Sequence, residues 1–202
     1  NNGVQKMFNE LVFIDGTPSN SEPYLGGDPY LPTALAWPKG SEGGPLLHLA
    51  TFPAAFINKY TNFNLDTQLV ISIFTPYSKT SDDYIETIMT EGGKVIAYKP
   101  SMLQMGAYAD PITPSKKITV IENPNEDSNE NGIAKIGGIP AWIQDDENLK
   151  TLDYALQINS SRLNKAAPYH KGILVGGIGY LMLKKNISCQ DIDAGKFLIQ
   201  TS

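Results

Sequence analysis

Leu25-Gly26-Gly27-Asp28-Pro29 returns later in the chain as Ile136-Gly137-Gly138-Ile139-Pro140, and the segments that follow each copy also match. Behind the first copy runs the apolar segment Leu46-Leu47-His48-Leu49-Ala50-Thr51-Phe52; behind the second runs Tyr154-Ala155-Leu156-Gln157-Ile158-Asn159. A further apolar strand follows in each case, Gln68-Leu69-Val70-Ile71-Ser72-Ile73-Phe74 and Gly179-Tyr180-Leu181-Met182-Leu183. Counted from 25 to 136, 52 to 158 and 71 to 181, the offsets are 111, 106 and 110 residues. One Gly-Gly-x-Pro match would carry little, because glycine and proline recur in loops for ordinary turn reasons. Three segments in one order at nearly one offset point to an internal duplication. Repeats of about 110 residues are too long for a solenoid and are expected to form two halves of one body. Their expected extents are 24–121 and 133–202, joined by residues 122–132.

Composition bounds the rest. A chain of 202 residues with 41% hydrophobic and 18% charged residues can bury a sizeable core. Eighteen glycines and fourteen prolines spread along it mean many turns, and many turns usually mean many short strands. The net charge of −5 and the absence of any Lys/Arg cluster argue against a nucleic-acid surface. The single cysteine, Cys189, rules out an internal disulfide and a cysteine-based metal cage. No apolar run reaches membrane-span length. The chain starts at Asn1 without a methionine, which leaves a removed export signal open; a reduced cytoplasmic setting is the expectation.

Periodicity places the elements. Val4, Met7, Phe8 and Leu11 stand at i, i+3, i+4 and i+7 and predict a short amphipathic helix. Residues 24–45 carry Pro29, Pro32, Pro38 and Pro45, too many missing donors for a helix or a central strand. A wrapped loop anchored by Tyr24, Tyr30, Leu31, Leu35 and Trp37 is expected there. Strands are predicted at 46–52, 67–75, 94–98, 117–121, 151–159, 178–183 and 196–200, with a short helix from Pro53 to Tyr60. Ser81-Asp82-Asp83, the apolar set Tyr84, Ile85, Ile88 and Met89, and Gly92-Gly93 spell a capped helix. Ser188 with Asp191 three residues on suggests one or two helical turns over 188–194 that carry Cys189. Residues 122–132, ENPNEDSNENG, hold four acids, no base and no large apolar residue, and a mobile loop at the seam is expected. The fold class is α+β: β-rich, with two pseudo-repeated halves packed as one compact body and few short helices.

The pattern from Tyr24-Leu25-Gly26-Gly27-Asp28-Pro29-Tyr30-Leu31-Pro32 through Trp37-Pro38 to Pro45-Leu46-Leu47 resembles the opening motif of the YwqG-like family of bacterial proteins. Lys135-Ile136-Gly137-Gly138-Ile139-Pro140-Ala141-Trp142, the strand at 156–159, the Ile-Gly-Tyr-Leu segment at 178–181 and the ending at 191–200 are similar too. Thr51-Phe52-Pro53 departs from the family's usual Gln-Ile-Asn, and residues 76–132 match no part of it. The resemblance implies a domain with no agreed catalytic residues. It also implies partner binding, since family members occur beside toxin systems.

Candidate sites divide between structural and functional roles. Asp127-x-Asn129-x-Asn131-Gly132 opens like a calcium loop, but its twelfth position is Gly138 where a bidentate Glu is needed. Gly92-Gly93-Lys94 and Gly176-Gly177-Ile178-Gly179 lead into strands, so turn glycines are expected, not a phosphate cradle. His48 is expected packed or capping and His170 at the surface. Asp82-Asp83 opens a helix and Asp145-Asp146 stands in a turn. Trp37 and Trp142, with Tyr24, Tyr30 and Tyr154, anchor the repeated loops, or else form a recognition patch. No catalytic residue, metal site or cofactor is expected. The leading expectation is a non-enzymatic protein-binding module, most concretely an immunity protein that neutralises a bacterial toxin. Glu122, Glu126, Asp127 and Glu130 with Trp37 and Trp142 would bind it, the acids standing in for substrate phosphates. The alternative is an enzyme or small-ligand binder with a deep site between the halves.

Overall fold

Short apolar strands punctuated by Gly and Pro pair antiparallel throughout and close on themselves. The computed structural model describes residues 7–144, 149 and 151–202. Among them lie β1 (Phe8–Ile14), β2 (Tyr24–Leu25), β3 (Leu47–Pro53), α1 (Ala54–Tyr60), β4 (Val70–Thr75), α2 (Asp83–Glu91) and β5 (Gly93–Tyr98). Then follow β6 (Lys116–Asn123), β7 (Lys135–Ile136), β8 (Asp153–Asn159), α3 (Ser160–Ala166), β9 (Ile178–Leu183) and β10 (Asp191–Gln200). The strands form one closed barrel in the order β1-β6-β2-β3-β4-β5-β10-β9-β8-β7, with β7 returning to β1. Closure removes the exposed edges that an open sheet would present. Side chains fill the interior as one continuous cluster that includes Leu11, Leu49, Phe52, Ile71, Ile73, Val95, Leu156, Leu181 and Phe197.

Two stretches of the barrel are built alike. In β3 the register against β4 slips between His48 and Ala50, and in β8 the register against β9 slips between Tyr154 and Leu156. Each bulge leaves a carbonyl outside the ladder, and buried carbonyls need a donor. Gly26 N–H supplies it to Leu49 O at 2.7 Å, and Gly137 N–H supplies it to Ala155 O at 2.7 Å. Both glycines have positive φ, +72° and +64°. A Cβ on Gly26 would meet Ile112 O at 2.8 Å, and one on Gly137 would meet Tyr60 O at 2.5 Å. Glycine is the residue that meets both demands. A seven-residue helix follows each bulged strand, α1 after β3 and α3 after β8. Five antiparallel steps separate β3 from β8, so the two helices cover opposite ends of the barrel.

Loops cover much of the outer wall. Leu31, Leu46, Trp37 and Leu35 pack on Val70, Phe74, Ile96 and Tyr98 of β4 and β5. Trp142, Leu149 and Leu152 pack on Ile178, Tyr180 and Met182 of β9.

The structure revises several expectations. The helix expected over 4–11 is, in its described part, the start of β1: Leu11 and Phe13 point to the interior while Val12 and Ile14 point out, a period of two. The turns expected over 188–194 give way to β10, which begins at Asp191, and Cys189 lies exposed before it. His170 is buried, not superficial, and its Nε2 lies 2.7 Å from Asp110 O. Between residues 24–121 and 133–202, where a groove was expected, backbone ladders run instead: β5 pairs with β10 directly, and β1 pairs with β6 on one side and β7 on the other. The Asp145-Asp146 turn and Val4 lie outside the described residues.

Candidate functional site

Residues 124–134 run from β6 across the outer face of β1 to β7. Phe8 has the same parity on β1 as the outward Val12 and is nonetheless buried, because this segment covers it. The Lys135 ammonium sits 5.6 Å from the centre of the Phe8 ring. It also makes a 2.7 Å ion pair with Asp127 Oδ1 and donates to Ser128 O at 3.1 Å. The second Asp127 oxygen accepts Ile139 N–H at 2.7 Å. The side chains of Lys135 and Asp127 are 0% and 4% exposed. Burying two charges is costly unless they are paired and their remaining polar atoms satisfied, and here they are.

Asp127 therefore holds the loop down and presents nothing to solvent. Its carboxylate is consumed by an ammonium and an amide, so it does not start a calcium loop, and no cluster of three or more metal-ligating residues occurs among the described residues. Glu122, Glu126 and Glu130 are exposed, and none has an ion-pair partner among the described residues. Trp37 and Trp142 lie elsewhere, on the covering loops. Trp37 packs edge-on against Phe74 at 5.2 Å and donates from Nε1 to Leu46 O at 2.9 Å. Trp142 packs against Tyr180 at 4.4 Å. Both are half-buried anchors, and the fold does not gather them with the acids.

Next to that loop is wall over which no covering loop lies among the described residues. Val12 lies opposite Thr119, Glu10 opposite Ile121 and Ile14 opposite Lys117, all on the outer face by alternation. Ile14 is 42% and Ile121 51% exposed. Glu10 is held by Arg162 at 2.7 Å and by the Asn123 amide at 3.1 Å. Arg162 also donates to Leu11 O at 2.7 Å, beside the short β7. At the far end Lys116 pairs with Asp15, and Lys117 with Glu22 at 3.4 Å. Reading residues 4–11 as a helix hid this face; the alternation of Leu11 and Phe13 against Val12 and Ile14 was the signal for it.

His48 belongs to a buried polar chain under residues 26–46. Its Nδ1 lies 3.2 Å from Gly27 O, its Nε2 2.7 Å from Thr51 Oγ1, that oxygen 2.5 Å from Ser72 Oγ, and Ser72 2.7 Å from the Tyr98 hydroxyl. A carbonyl only accepts, so the neutral imidazole carries its proton on Nδ1. The bonds then run one way, from Tyr98 through Ser72 and Thr51 to His48 and on to Gly27. Burial pushes the His48 pKa down to about 4, which favours this neutral form. The Tyr24 hydroxyl beside it is buried and has no hydrogen-bond partner among the described residues, and desolvation pushes its pKa up to about 12.

Comparison with protein-family models and with curated proteins gives no match for this chain.

Proposed function

We propose that the protein is a non-enzymatic binding module for a basic protein partner, in its most concrete form an immunity-type protein that neutralises a bacterial toxin. The observation that carries this reading is the pinned acidic loop. The buried Asp127–Lys135 pair holds residues 124–134 against the barrel while Glu122, Glu126 and Glu130 stay exposed and unpaired among the described residues. Acids fixed in advance lose less freedom on binding, and acids without local partners attract a basic surface from a distance. Capture of partners with the purified protein as bait, followed by titration of the recovered protein, tests this. A stoichiometric basic protein whose binding weakens in salt is the expected result; a neutral partner indifferent to Glu126→Lys and Glu130→Lys would overturn it.

The same reading takes the chain as YwqG-like and as two duplicated halves. In support, glycine, bulge, helix and return strand recur in one order. By ladder position Ile71, opposite Phe52, corresponds to Gly179, opposite Ile158, and the third offset becomes 108 residues in place of 110. If the halves are drawn as β1–β5 and β6–β10 in place of 24–121 and 133–202, each contributes its first strand to the other: β1 precedes β2 but pairs with β7, and β6 precedes β7 but pairs with β2.

A further inference from the structure

We infer that the outer face of β1 and β6 is the seat for an apolar segment of that partner, oriented so that the segment's basic end lies over residues 124–131. This rests on the binding reading above and adds the surface, the chemistry of the occupant and its direction. Loops pack over the outer faces of β4, β5 and β9, whereas no loop among the described residues packs in this way over the strip of Val12, Ile14, Thr119 and Ile121, of which Val12 and Thr119 are half-buried and Ile14 and Ile121 exposed. Apolar side chains grouped on an uncovered sheet face are candidates for protein contact.

Charge sets the direction. The strip is framed by two crossing segments, 15–23 and 124–134. At the first, both lysines are neutralised, Lys116 by Asp15 and Lys117 by Glu22. At the second, Asp127 is matched by Lys135 and Glu10 by Arg162, which leaves Glu126 and Glu130 over; Glu122, opposite Asn9, has the parity of the inward Leu11 and lies at the rim behind the strip. An occupant that covers the whole strip meets no excess of carboxylates at one end, where Lys165 beside Val12, Asp15 and Lys116 has no ion-pair partner among the described residues, and an excess of carboxylates at the other. Lysine or arginine at one end of an otherwise apolar segment complements this. An anionic lipid surface or a nucleic acid would be repelled by the same carboxylates.

The test uses a defined probe, the peptide Lys-Lys-Lys-Thr-Val-Thr-Val-Thr, titrated into isotope-labelled protein while backbone amide shifts are followed. A peptide with three glutamates in place of the lysines is the control. The expected result is saturable shifts at Val12, Ile14, Thr119, Ile121 and residues 122–130, with no binding of the glutamate peptide. Ile121→Asp and the pair Glu126→Lys, Glu130→Lys should each weaken binding tenfold or more. Ile14→Asp serves as a second variant should Ile121→Asp disturb the fold. Absence of binding at millimolar peptide, shifts confined to other surfaces, or affinity unchanged in both aspartate variants would overturn the inference. Loss of binding in the lysine variants alone keeps the acidic loop and removes the strip. Loss in the aspartate variants alone keeps the strip and removes the loop from the function proposed above. A protein dimer broken by Ile121→Asp would make the occupant a second copy, and would overturn it as well.

Discussion

Over β3 and β4 the covering loop is tied down by a histidine, two hydroxyls and a tyrosine, whereas over β8 and β9 the covering loop is tied down by amides and phenols. In the second case Gln157 accepts Ala141 N–H at 2.9 Å and donates to Ile133 O at 2.9 Å and Asn131 O at 3.1 Å. The Tyr154 hydroxyl donates to Gly137 O at 3.1 Å and the Tyr180 hydroxyl to Ala141 O at 2.6 Å. Backbone geometry is common to the two walls: a bulge, a positive-φ glycine satisfying its carbonyl, and a tryptophan on the outer face. Side-chain chemistry is free to differ where the buried polar groups find partners, as those of both networks named here do. One consequence is that of these two networks only the first contains a histidine, a group whose ordinary pKa lies near neutral and which burial here pushes down to about 4.

The largest expected effect falls at the buried pair beside the second wall. Lys135→Met leaves the Asp127 carboxylate buried and unpaired, and should cost about 3–5 kcal/mol in denaturant unfolding. Adding Asp127→Leu to that variant should recover most of the loss, because both charges are then gone; no recovery would mean that the loop depends on the carboxylate for more than pairing.

Acid sharpens the comparison between walls. The folded pKa of His48, about 4, lies below the ordinary histidine value, so the unfolded chain takes up the proton first. Stability from this group is complete above about pH 6.5, falls as pH drops towards about 4, and by then has declined by about 3 kcal/mol. Unfolding followed across that window should show the loss in the native protein and a flatter profile in His48→Gln. Equal slopes would show that the first wall is not the acid-sensitive one.

Arg162→Ala should cost about 1–2 kcal/mol, since it strips a partner from Leu11 O and from Glu10 at the margin of the uncovered wall. The smallest effect is expected at Glu126→Gln and Glu130→Gln, exposed positions where stability should change by less than about 0.5 kcal/mol. A large stability change there would mean that these acids serve the fold and not a partner.

Much of the architecture could be read from residues alone. The paired Gly-Gly-x-Pro blocks marked the two positive-φ turns, β-branched and aromatic runs marked β4 and β9, and Ser81 to Gly93 marked α2. The bulges could not be read, because a bulge is a property of two strands and not of one. Phe8 misled because it lies on the outer face and is buried there by a distant loop, which produced a helical spacing with Val4 and Leu11 by coincidence. Asp127 looked like one of four equal acids in a polar run. Its difference comes from Lys135, a charged residue in a two-residue strand, and only the fold shows that the two meet inside. β10 was masked at its start by Asp191 and Asp193, which are polar and partly or fully exposed ahead of the bulge.

Association kinetics with a recovered basic partner test the functional claim most directly, comparing the native protein with Glu122→Lys, Glu126→Lys, Glu130→Lys combined. The account predicts an association rate at least tenfold slower in the variant, with the difference shrinking as salt is raised. An association rate unchanged at low salt, in a variant of native stability, would contradict it.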